Sequence, residues 1–366
     1  MGEATGLTPI SGGLSAVQTD AKIHEISCFQ GVWVFLLRTA VKRRYILPVS
    51  IAADCECPMR PIRKQMMKLL SKMHLNLKEN YKLYRKVLRL VNPPIKNGYT
   101  TLDYKMMVDE REIPLRIFLP ENSKNDKTKV LIFFHGGGWV TGDIDSYTIV
   151  CRNMANNTGH IVVSVEYRLA PENPFPSGVE DCCYVTEKIF EKPELLGCRR
   201  EDITLIGDSA GANLAAVVSL LVRDRGGFIP KRQILIYPAA YYDHSDSSPY
   251  PSVRENGSDY IMTSKRIQDY LDLYVKNEDD KCSPYVAPLL AEDLSDQPDT
   301  LVITAQYDPL RDEGEAYGRK LKEFGNKVVM WRMDDAIHGY FSMPVNTAKI
   351  AATYEWINSF LRDGND

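Results

Sequence analysis

Beyond residue 100 the chain alternates short apolar runs with longer stretches whose apolar positions recur every three or four residues. A continuous apolar run of about five residues fits a strand buried on both faces, whereas the wider spacing fits an amphipathic helix. Runs of the first kind fall at residues 130–134, 160–167, 203–208, 233–237, 300–305 and 327–332. Helices are expected at 177–190, from Ala210 to near Gly226-Gly227, and at 347–361. Residues 101–108 and 114–119 read instead as an antiparallel pair joined near 109–112. Strands separated by helices in this way specify a mostly parallel, doubly wound α/β sheet covered on both faces.

Two stretches break the alternation. A Tyr- and Pro-rich insertion, about 240–296, separates two of the strands, and its one helical spacing is Ile267, Tyr270, Leu271 and Tyr274. Ahead of the sheet, Met66, Leu69, Leu70 and Met73, then Leu77, Tyr81, Tyr84 and Leu88, repeat at helical intervals until Pro93-Pro94 ends the pattern. The insertion leaves the carboxyl edge of the sheet, where ligands bind in open α/β folds. A cap built from this insertion and the N-terminal helices is therefore expected over the site. The expected division is a tail at 1–20, a basic helical segment at 21–98 that contributes to the cap, and a core at 99–366.

Composition adds a charge boundary to this picture. The 366 residues are 44% hydrophobic and 25% charged, which is globular rather than disordered. A net charge of −3 conceals 16 Lys/Arg against four acids between Lys22 and Lys96, a local excess of +12. Such a segment suits either solvated helices whose lysine stems cover apolar surface, the favoured reading, or peripheral contact with an anionic membrane through residues 22–96. The stretch Val32-Trp33-Val34-Phe35-Leu36-Leu37 is too short to span a bilayer, and no secretory leader is read, so a cytoplasmic chain is expected. The eight cysteines show no Cys-x-x-Cys pair, and neither a metal nor a cofactor is called for. No nucleic-acid partner is expected, and the oligomeric state is left open, a homodimer included.

The chemistry gathers on Gly207-Asp208-Ser209-Ala210-Gly211, between a buried strand and a helix. A Gly-x-Ser-x-Gly turn forces its serine into a strained conformation that exposes the hydroxyl, and the helix behind it aims unpaired N–H groups at the same point. A serine needs a base, and the base needs a carboxylate. Only His244 and His338 follow Ser209 in the chain; His338 leaves the last strand, while His244 lies in the insertion and reads as a solvated cap residue. Asp308, three residues beyond the 300–305 strand, is the expected acid, with Asp312 assigned to the first turn of the next helix. The run His135-Gly136-Gly137-Gly138-Trp139 follows a buried strand and offers bare backbone. The N–H groups of Gly137, Gly138 and Ala210 are expected to form an oxyanion hole, with His135 fixing the loop and Asp208 supporting it.

These residues resemble the hormone-sensitive-lipase-like branch of the α/β-hydrolases. The resemblance rests on His135-Gly-Gly-Gly-Trp139, Tyr167-Arg-Leu-Ala-Pro-Glu172, Gly207-Asp-Ser-Ala-Gly211, Asp308-Pro-Leu-Arg-Asp-Glu-Gly314 and His338-Gly339, in that order over about residues 100–362. It implies an α/β-hydrolase fold and a serine carboxylesterase with Ser209, Asp308 and His338 as its triad, acting on a small-molecule ester. Short- to medium-chain or aromatic esters are expected; a non-catalytic receptor like those for gibberellin, or a deacetylase or amidase, are the alternatives. The insertion's tyrosines, Tyr241, Tyr242, Tyr250, Tyr260, Tyr270 and Tyr274, either line an apolar pocket or pack the cap onto the core.

Overall fold

The computed structural model describes residues 76–91, 101–121, 128–343 and 347–362. The expected tail, the Trp33 stretch, and Cys28, Cys55 and Cys57 lie outside the described residues. Helix α1 (Leu77–Val91) precedes the hairpin of β1 (Thr101–Val108) and β2 (Arg111–Phe118). Then follow β3 (Val130–Phe134), α2 (Thr148–Thr158), β4 (Ile161–Val165), α3 (Ser177–Glu191), β5 (Ile203–Asp208), α4 (Ala210–Asp224) and β6 (Arg232–Ile236). The insertion carries α5 (Pro251–Asn256) and α6 (Ser264–Tyr274), and β7 (Asp299–Tyr307), α7 (Arg311–Glu323), β8 (Val328–Ile337) and α8 (Thr347–Arg362) complete the core.

One eight-stranded sheet, ordered β1-β2-β4-β3-β5-β6-β7-β8, holds the chain together. Only the β1–β2 and β2–β4 pairs are antiparallel. Because β4 lies on one side of β3 and β5 on the other, the winding direction reverses at the β3–β5 pair, where Phe134 stands opposite Gly207. That reversal opens a crevice at the carboxyl ends of these two strands, and the loops that leave them carry His135 and Ser209.

All five residues of β3 are buried, and they divide by parity between two cores. Val130, Ile132 and Phe134 pack with α3, α4 and α7, whereas Leu131 and Phe133 pack with α2 and α8. A strand covered on both faces must be apolar at every position, which is the pattern its sequence shows.

The departures from expectation have local causes. The β1–β2 turn contains only Asp109 and Glu110, with Asp109 at φ 51°, so β2 begins at Arg111 rather than at 114. Helix α2 has no counterpart among the sequence expectations; Asn153, Asn156 and Asn157 dilute its pattern, and no acid opens it or base closes it. β8 runs on through the polar Asp334-Asp335 to Ile337, so the next residue, His338, comes straight off the strand.

Helix α1 lies against α6 of the insertion, with Lys78 Nζ 2.7 Å from Asp272 Oδ2 and Leu77 buried. Five cysteines among the described residues are free thiols, four of them buried. No helix among the described residues is long and apolar enough to cross a membrane.

Candidate active site

Ser209 occupies the turn between β5 and α4 at φ 55°, ψ −121°, a conformation that side chains rarely adopt and that costs about 1–3 kcal/mol. The turn is tight enough that a Cβ on Gly207 would strike the Gly211 carbonyl, and one on Gly211 would strike the Phe134 carbonyl of β3. Both flanking glycines are thus required by backbone contact, the second by a neighbouring strand rather than by the elbow itself.

His338 joins the serine to a carboxylate. Ser209 Oγ lies 2.8 Å from His338 Nε2, and Asp308 Oδ2 lies 2.7 Å from Nδ1. Since the carboxylate accepts, Nδ1 carries the proton and leaves Nε2 to accept from the serine hydroxyl. Asp308 is fully buried, with its Oδ1 accepting from the Leu310 N–H at 2.9 Å. The insertion props the Asp308 loop: Ser252 Oγ donates to the Pro309 carbonyl, and Asn256 Nδ2 to that of Asp308. Burial opposes protonation of His338, but the charge and hydrogen bond of Asp308 outweigh it, and the His338 pKa is raised. Asp312 sits in the first turn of α7 and accepts from the Ser252 N–H, away from His338.

Gly137 and Gly138 both have positive φ, at 120° and 61°, and Trp139 continues the series at 59°. The N–H groups of Gly137, Gly138 and Ala210 have no hydrogen-bond partner among the described residues. Beneath this loop Asp208 accepts from the Gly136 N–H at 2.8 Å and from the hydroxyls of Tyr147 and Tyr237 at 3.1 and 3.2 Å. Burial pushes the Asp208 pKa up to about 6, against the pull of those donors. His135 is fully buried and stacked on Tyr167 with centroids 4.3 Å apart, and burial lowers its pKa to about 4, so it is neutral at working pH. Its Nδ1 bonds the Gly136 carbonyl, while the Tyr167 hydroxyl donates to the His135 carbonyl.

Several residues escape sequence reasoning. Tyr237, at φ 39°, sets its ring 4.8 Å from that of His338 while its hydroxyl reaches Asp208. His244 is not solvated: it is buried with Nε2 2.8 Å from Glu313 Oε2, a partner 69 residues away that local sequence does not disclose. Of the insertion's tyrosines, Tyr274 stacks on Trp139 at 4.5 Å and Tyr260 on Tyr307 at 5.3 Å, so these two pack the insertion onto the core.

A mostly parallel sheet, a serine at a strand-to-helix elbow and a histidine at the end of the last strand define the α/β-hydrolase class. A family model described as the alpha/beta hydrolase fold matches residues 131–342. An arylesterase of Saccharolobus solfataricus is 34% identical over 72% of this chain and 83% of its own. The carboxylesterase NlhH of Mycobacterium tuberculosis is 36% identical over 68% and 76%. Among solved structures, a hyperthermophilic esterase from Pyrobaculum calidifontis superposes with a TM-score of 0.71 at 34% identity, covering 83% of this chain and 99% of that one. The chain belongs to the α/β-hydrolase family, in its hormone-sensitive-lipase-like branch of carboxylesterases.

Proposed function

We propose that Ser209, His338 and Asp308 are the catalytic triad of a serine carboxylesterase. The observation that carries this reading is the pair of hydrogen bonds on His338, one to each partner. Ser209 Oγ attacks the ester carbonyl while His338 Nε2 takes its proton, and the charge that develops on the carbonyl oxygen is met by the N–H groups of Gly137, Gly138 and Ala210. As the tetrahedral intermediate collapses, His338 returns the proton to the departing alcohol and an acyl-serine remains. Water then attacks that ester, His338 again taking the proton, and the acid leaves as Ser209 is regenerated. Asp308 orients the ring and stabilises the imidazolium at both stages, while Asp208 and His135 hold the glycine loop in place.

The substrates are esters of short- to medium-chain or aromatic character, in keeping with relatives that are named arylesterase and carboxylesterase. The intact Ser209–His338–Asp308 chain weighs against a binding-only receptor. Ser209→Ala is expected to abolish turnover of p-nitrophenyl acetate and butyrate, and covalent labelling by a serine-directed phosphonate, while leaving thermal unfolding cooperative. Turnover that survives the substitution would remove the assignment.

Helix α1 and the insertion together form the cap in this reading, supported by the Lys78–Asp272 ion pair. Three cations of α1, Lys78, Arg85 and Arg89, are paired with Asp272, Glu172 and Asp143. This favours docking of the helix on its own core over presentation of a basic face to a membrane. Co-sedimentation of the full chain with anionic vesicles tests the remainder of residues 22–96, and salt-sensitive binding would restore the membrane reading.

A further inference from the structure

The glycine loop is held from below by Asp208, but its outer side is held by a side chain from outside the region that the family model matches. Arg85 of α1 donates from Nε to the Val140 carbonyl at 2.7 Å and from Nη2 to the Ala170 carbonyl at 2.7 Å. The same guanidinium meets Glu172 in a two-pronged contact, Nη1 to Oε1 and Nη2 to Oε2, each at 3.0 Å. Ala170 in turn donates its N–H to the Trp139 carbonyl at 2.9 Å. One planar cation therefore ties the end of the loop at 137–140 to the segment at 170–172, at the point where the two backbones already touch.

Two features make this tether consequential. Val140 and Ala170 are both buried, and among the described residues no other group donates to either carbonyl, so removal of Arg85 leaves two buried acceptors without partners. In addition, Gly137, Gly138 and Trp139 form three consecutive positive-φ positions. Strained backbone of this kind persists only where its surroundings over-determine it. The turn bonds from the Val140 and Thr141 N–H groups to the Gly137 carbonyl fix the loop's shape, and Arg85 fixes where that shape sits. A lysine ammonium is a single point charge and lacks the planar fork needed to serve two carbonyls and a carboxylate together.

We propose that Arg85 is a positioning residue for the oxyanion-hole loop, so that α1 takes part in transition-state stabilisation as well as in roofing the site. This rests on the assignment of Gly137 and Gly138 as oxyanion donors. The loop's N–H groups matter most when charge has developed on the substrate oxygen, so displacing them weakens the transition state more than the ground-state complex.

The test is steady-state hydrolysis of p-nitrophenyl butyrate by the full chain, with kcat expressed per site titrated by a phosphonate so that any unfolded fraction does not count. Arg85→Ala should lower kcat by about ten- to a hundred-fold, short of or equal to the loss of one oxyanion donor, with KM changed less than about threefold. Arg85→Lys, which keeps the charge and stem, guards against a variant that fails to fold and should show the same split at a smaller loss. Lys78→Ala, which removes the ion pairs of an exposed lysine with Asp269 and Asp272 of α6 and touches neither the Val140 nor the Ala170 carbonyl, should retain nearly all of kcat. Wild-type kcat in Arg85→Ala, or an equal loss in Lys78→Ala, would overturn the proposal. Failure of the underlying triad assignment would appear separately, as activity surviving in Ser209→Ala.

Discussion

The ring of Tyr270, in the insertion's long helix, fills the space that a Cβ on Gly138 would need. The insertion is thus in direct contact with the backbone proposed to stabilise the oxyanion, and Gly138 is demanded twice: by its φ of 61° and by its neighbour. Gly138→Ala should lower kcat by on the order of a hundredfold through displacement of its N–H. If the Tyr270 contact is the main cause, Gly138→Ala combined with Tyr270→Ala should recover about tenfold of that loss, a non-additivity expected only of residues in contact. Steady-state kinetics on the two single variants and the double variant decide it, and simple additivity would leave the backbone conformation as the sole cause.

The pH dependence follows from His338. Its pKa is raised above 6.5, because burial, which favours the neutral ring, is outweighed by Asp308, with Asp208 and Glu313 adding in the same direction. As the proposed base, His338 works only when neutral, so kcat/KM should fall as pH drops through that raised value and reach a plateau above it. Asp308→Asn removes the nearest negative charge, and the limb should move to lower pH while the plateau falls by about 10⁴-fold. A profile for an aryl ester between pH 5 and 9 reads both effects; a limb that stays in place would show that another group controls it.

The sheet was legible in the sequence because its central strands are buried on both faces and so are written as unbroken apolar runs, as in Val130–Phe134. Ser209, Asp308 and His338 were legible because each is placed by a strand end, and strand ends follow from those runs. What escaped detection depends on long-range partners. Nothing near His244 announces Glu313, and nothing near Arg85 announces the Val140 carbonyl. The same holds for α2, an Asn-rich helix held by packing of Val150, Met154 and Ala155 in the buried cluster rather than by its own periodicity.

Asp208 links the elbow to the loop through Gly136, and its buried carboxylate has a stability cost with a definite sign. Its folded-state pKa, about 6, lies above the ordinary 3.8, so the folded protein binds the proton more tightly than the unfolded chain. The resulting stability is complete below about pH 4 and is lost as pH rises through 6. Asp208→Asn cannot titrate, so the stability of the variant relative to wild type should improve by about 2–3 kcal/mol between pH 4 and 7. Urea unfolding at several pH values measures the difference, and a flat difference would mean that Asp208 is not the titrating group. Asp208→Ala, by contrast, orphans the Gly136 N–H and should cost about 1–3 kcal/mol at pH 7.

Glu313 is a second buried carboxylate with a separate task. Its Oε1 accepts from the N–H groups of Ala240 and Tyr241 at 2.8 and 3.1 Å, and its Oε2 faces His244 Nε2 at 2.8 Å. It thereby pins the first residues of the insertion to α7, the helix that begins three residues after Asp308. Glu313→Ala leaves two backbone donors and an imidazole unpaired in a buried site, and a loss of about 3–5 kcal/mol is expected. Glu313→Gln keeps both oxygen-sized positions and can still accept from the backbone through its carbonyl, so it should cost distinctly less. Because the contact holds the insertion and not the nucleophile, limited proteolysis within residues 245–262 should accelerate in Glu313→Ala before activity toward a small acetate ester is lost. Loss of activity in step with the accelerated proteolysis would make Glu313 part of the support for Asp308 itself, through α7.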